Sequence, residues 1–125
     1  MDISITVQVP LHVVAGVLCS GFKIATEWLR IDWDHSIAPK QMDPQVAEYD
    51  AHCSWPLGDG GVLAILDTEE ENTPHTLGIG SIRAGLQVMA QEYPKHFADI
   101  MTGVFDSETG DVLLQCSIFG AVIYG

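Results

Sequence analysis

The chain has 125 residues, of which 47% are apolar, so it has material for one core and reads as a single domain spanning residues 1–125. Seventeen acids face five bases, a formal charge of -12. That charge excludes direct binding of nucleic acid and of anionic lipid, because five scattered bases cannot offset phosphate; it favours a basic protein groove or a cation as partner.

Three cysteines, Cys19, Cys53 and Cys116, cannot all pair within one chain, and none forms a CxxC. Cys19 and Cys116 lie among apolar residues and read as small core residues. The opening MDISITVQVP has no basic n-region, and the apolar run Leu11 to Cys19 is far shorter than the roughly 20 residues that span a bilayer. The expectation is a reducing cytosol and no membrane contact.

In chain order, Ile3, Ile5, Val7 and Val9 alternate with polar residues, which predicts a strand ending at Pro10. Val13, Val14, Val17, Leu18 and Phe22 predict a buried helix from Leu11 to about Ile24, with Gly21 as a possible stop. Glu27 to Trp33 alternates again and predicts a strand with Leu29, Ile31 and Trp33 on its buried side and Trp28 on the other. From Asp34 to Gly61 periodicity is lost, which predicts a long acidic loop with a helical turn at Pro44 to Tyr49. Val62 to Leu66, bounded by glycine and acid, predicts the central strand, followed by an acidic turn from Thr68 to Pro74.

Three helices follow. The first is capped by Ser81 and carries Ile82, Leu86, Met89 and Ala90; Leu86 and Met89 should pack on the central strand. Pro94 opens the second, with Phe97, Ile100 and Met101, and Gly103 closes it. Thr109 or Asp111 caps the third, which Gly120 ends before a short strand or packed tail. The predicted class is α+β: a sheet of about three to four strands, a helix after the first strand, and two to three C-terminal helices packed on the sheet.

Few residues carry a chemical signal. Gly78-Ile79-Gly80 lacks the continuation and lysine of a phosphate loop and reads as a turn. His96 and Asp99 share a helix face, and His52 adjoins Cys53, but neither pair has established metal or nucleophile spacing. The expectation is no cofactor, no metal and no catalytic residue, with a metal protein or small enzyme using His52, His96 and Asp99 as the alternative. The functional reading falls on the acids. Asp32, Asp34, Asp43, Glu48, Asp50, Asp59, Glu69, Glu70 and Glu71, with Trp55 as an apolar anchor, form the expected partner-binding set.

Met89-Ala90, Tyr93-Pro94, His96-Phe97-Ala98-Asp99, Thr109-Gly110-Asp111, Leu114-Gln115, Phe119-Gly120 and Tyr124-Gly125 form a pattern that resembles the tail of small uncharacterised proteins of tailed phages and prophages. The resemblance implies a phage protein acting in a bacterial cytoplasm. Together with the charge, it implies a non-enzymatic inhibitor that binds a basic, nucleic-acid-handling surface of a host protein or ribonucleoprotein complex. A CRISPR–Cas surveillance complex is one such partner, and a minor phage assembly role is a further alternative.

Overall fold

A computed structural model of the chain describes residues 2, 3 and 6–125. Helix α1 (Leu11–Ala25) is followed by strand β1 (Leu29–Ile37), a short helix α2 (Ala51–Ser54) continued by a 3-10 turn at Trp55–Leu57, and strands β2 (Val62–Asp67) and β3 (Thr73–Leu77). Helices α3 (Ile79–Glu92), α4 (Pro94–Thr102) and α5 (Ser107–Phe119) complete the chain. The sheet is antiparallel in the order β1-β2-β3, with Ile65 of β2 opposite Ile31 on one side and His75 on the other. The architecture is the predicted α+β class, with β2 central and three helices after the sheet.

Helix α5 is the hub. Val112 to Cys116 are all buried, because α5 packs against both α1 and α3. Close approach at both crossings depends on glycine. A Cβ on Gly21 would lie 2.4 Å from the backbone carbon of Gly110, and one on Gly85 would lie 2.8 Å from the Cα of Ser117. Gly21 therefore does not stop α1, which runs on to Ala25; the glycine is kept for helix contact. Leu63, Ile65 and Leu77 close the core from the sheet side.

Several local expectations are corrected. Thr6 to Pro10 joins no strand, and Val7 is half exposed; alternation supplies a face, but the ladder positions beside β2 belong to β1 and β3. Ile5 lies outside the described residues. Strand β1 continues through Asp34 to Ile37, and its irregular register after Asp32 leaves Trp33 46% exposed. Trp28 precedes the strand and is buried. The loop before β2 contains α2 and the buried Val46, and β3 occupies the end of the predicted acidic turn.

Helix starts also shift. Gly78 precedes α3 and donates its N–H to Ser81 Oγ, so Ser81 sits inside the first turn. Asp106 caps α5 by accepting from the N–H of Thr109, a bond that holds its carboxyl below the usual range. Leu86 is only half-buried whereas Met89 is fully buried, because α3 turns mainly towards α5.

Candidate functional site

The last turns of α1 separate two grooves. Cys19, Phe22, Lys23 and Thr26 recur at helical spacing and face one of them, while Ile24, Glu27 and the following Trp28 face the other.

The second groove, about 490 Å³, is lined by four carboxylates, those of Glu27, Glu69, Glu108 and Asp111, and by no base. They come from the end of α1, the β2–β3 turn and the first turns of α5. Their frame is a hydrogen-bonded network. Trp28 Nε1 donates to Asp111 Oδ1 at 2.7 Å, and Gln115 Nε2 donates to Asp111 Oδ2 at 2.8 Å. The buried Gln115 also accepts from the backbone N–H groups of Ile123 and Tyr124 at 2.8 and 2.9 Å, which fixes the C-terminal residues as a packed tail. Tyr124 then donates its hydroxyl to the buried Asp67 at 2.7 Å, and Asp67 accepts from the N–H of Glu69 at 3.0 Å. The bond to Asp67, burial, and the negative charges of Asp67, Glu70 and Glu69 push the Tyr124 hydroxyl up to about 12.

Of the expected acidic set, only Glu69 lines this groove. Glu70 and Glu71 sit beside it on the exposed turn, where Glu71 and Asn72 take left-handed backbone angles, φ 53 and 61. Asp32 Oδ2 is hydrogen-bonded to His35 Nδ1 at 2.7 Å. Asp43 accepts from the N–H of Gln45 and braces its own loop. Asp34, Glu48, Asp50 and Asp59 are exposed elsewhere. Trp55 is half-buried, edge-to-face with Trp33 at 5.3 Å. Sequence reasoning missed Glu27, Glu108 and Asp111 as site residues, since each has a local explanation: a strand charge, a first-turn acid and a candidate cap.

The first groove, about 770 Å³, differs in every respect. It is lined by Lys23 and Arg30, two of the five bases of the chain, and by Cys19, Asp50, His52 and the apolar Phe22 and Trp33. Cys19 is disulfide-bonded to Cys53, with Cα atoms 5.4 Å apart and a sequence separation of 34. This overturns the reading of Cys19 as a plain core residue; the docking of α2 on α1 brings the sulfurs together, and spacing alone gave no sign of it. Cys116 is the buried free cysteine, and burial pushes its thiol up to about 11.

His52 stands edge-on to Phe22, ring centroids 5.2 Å apart. Its ring nitrogen and the two sulfurs lie within 4.8 Å of one another, the one grouping of three metal-ligand side chains among the described residues. The alternative set of His52, His96 and Asp99 is therefore not assembled. His96 is instead 3.0 Å from the Thr109 hydroxyl of α5. Among the described residues no helix is long and apolar enough to cross a membrane. The chain matches no described protein family, no curated protein and no solved structure.

Proposed function

We propose that this protein is a non-enzymatic inhibitor that binds a basic surface of a partner through the acidic groove between α1, the β2–β3 turn and α5. The observation that carries this reading is the convergence of Glu27, Glu69, Glu108 and Asp111 on one groove with no lysine or arginine among its lining residues. Like charges gathered at one place repel, so the arrangement is held by the fold and is neutralised only from outside. A lysine or arginine of a partner lays its apolar stem along Val112 and Ile24 and its charged head among the carboxylates. A chain at -12 also draws a basic partner in from a distance and speeds encounter at low salt.

The partner class follows from the same chemistry. A surface evolved to hold phosphate displays clustered bases, and a groove of carboxylates competes for them. With the phage-like C-terminal pattern, this reading makes the protein a phage product acting in the bacterial cytoplasm on a nucleic-acid-handling host complex.

The test is capture from bacterial lysate by the parent protein and by a Glu27→Lys/Glu69→Lys/Glu108→Lys variant. The parent should retain a basic partner at about 0.1 M salt and lose it towards 1 M, as the Debye length falls from roughly 10 Å to 3 Å. The variant should lose it at both. A matched Asp32→Lys/Asp34→Lys/Asp43→Lys variant should bind more nearly like the parent, because Asp32 and Asp43 already have internal partners. Equal binding by the parent and the groove variant across that salt range would discard the acidic groove as the interface.

A further inference from the structure

We propose that Cys19, His52 and Cys53 form a zinc site when the disulfide is reduced, so that one cluster has two covalent states. The His52 ring nitrogen lies within 4.8 Å of both sulfurs, which the disulfide holds together. Tetrahedral zinc with Zn–S of about 2.3 Å and Zn–N of about 2.0 Å sets its ligand atoms roughly 3.3–3.8 Å apart, so once the bond is broken the two sulfurs move apart by rotation about their side-chain bonds while the imidazole closes in. Two thiolates and one imidazole are a ligand set that favours zinc over hard cations.

The surroundings suit a held ion. Cys53 is fully buried, and Cys19 and His52 are half-buried and line the groove. Phe22 restrains the imidazole ring from one side. Three protein ligands leave the fourth position facing the groove, where water completes the tetrahedron. Lys23 and Arg30 at the groove favour the thiolate forms that coordination needs, and the thiolates cancel the charge of the ion. On the cytoplasmic reading proposed above, such a cysteine pair is more often a ligand pair than a lasting disulfide.

A dithiol reductant breaks the Cys19–Cys53 bond by exchange, becoming a disulfide itself and delivering two electrons and two protons. Zinc then displaces the two thiol protons to solvent. The site is independent of the acidic groove, which lies on the other side of α1.

The experiment uses the full chain, folded in its disulfide form, then reduced and freed of reductant. Zinc content is measured by elemental analysis after equilibration with Zn²⁺, and Co²⁺ serves as the spectroscopic probe. The reduced protein should take up one ion per chain and show thiolate-to-cobalt charge-transfer absorption, and the oxidised protein should do neither. His52→Ala keeps both cysteines, so its disulfide form folds before reduction. Its zinc affinity should fall by more than the roughly 10–100-fold that loss of an outer hydrogen-bond partner costs. Cys116→Ser should bind zinc like the parent. The proposal is overturned if the reduced protein takes up no zinc, if the oxidised protein binds equally, or if His52→Ala binds as tightly as the parent.

Discussion

The two grooves share the last turns of helix α1 and have opposite characters. The groove on the Glu27 side gathers four carboxylates and no base, and it is framed by a hydrogen-bonded network from Trp28 to Tyr124. The groove on the Cys19 side gathers two of the five bases around a disulfide, a histidine, the buried Phe22 and the exposed Trp33. A helix presents different residues every 100°, so positions 19, 22, 23 and 26 can serve one site while 24 and 27 serve another. The difference teaches that net charge describes neither site. Four acids are concentrated by the β2–β3 turn and α5 on one side, and the covalent tie lies beside the groove that Lys23 and Arg30 line.

The largest effect should separate the two sides most cleanly. Reduction in the presence of a chelator removes the cross-link closing 34 residues of chain and should lower stability by about 3–4 kcal/mol in the chain-entropy picture, read from urea unfolding with and without reductant. Cys53→Ser should match it without reductant. No change on reduction would mean that the cross-link is absent from the folded protein.

On the acidic side, Trp28→Phe keeps an aromatic ring near Phe119 and Tyr124 but loses part of the buried indole volume together with the Nε1–H bond to Asp111. A hydrogen bond to a charged group contributes roughly 1.5–3 kcal/mol, and the loss should persist in the reduced protein. Additivity of this variant with disulfide reduction would sharpen the separation; strong coupling would break it.

Gly21→Ala tests what the sides share. Its Cβ would meet the Gly110 backbone at 2.4 Å, so α1 must lift from α5 at a cost of about 1–3 kcal/mol. Both grooves should respond, seen as faster hydrogen exchange at the C-terminal tail and easier reduction of the disulfide. A stabilised or unchanged variant would show that the two helices do not cross there.

The smallest effect is confined to alkaline pH. The Tyr124 hydroxyl titrates near 12 when folded against about 10 when unfolded, so the unfolded chain loses its proton first. The stability it contributes is complete below pH 10 and declines as pH rises towards 12. Tyr124→Phe should flatten that decline in urea midpoints measured from pH 9 to 11. An unchanged slope would remove Tyr124 from the network.

Sequence alone determined the α+β class, the central strand over Val62 to Asp67, helix α1, and the stops at Gly103 and Gly120, both with left-handed φ. These are local matters: apolar periodicity selects helix or strand, and glycine adopts φ > 0 without a Cβ penalty. Tertiary structure decided the rest. Alternation up to Val9 could not show that no strand would lie beside it, and Thr73 to Leu77 was hidden as a strand by its turn-like Thr-Pro start. The acidic groove draws on residues from Glu27 to Asp111, and the cysteine cluster joins Cys19 to Cys53. Both sites form where helices dock, and docking depends on the fit of whole faces, such as Gly21 on Gly110, which no local pattern of residues encodes.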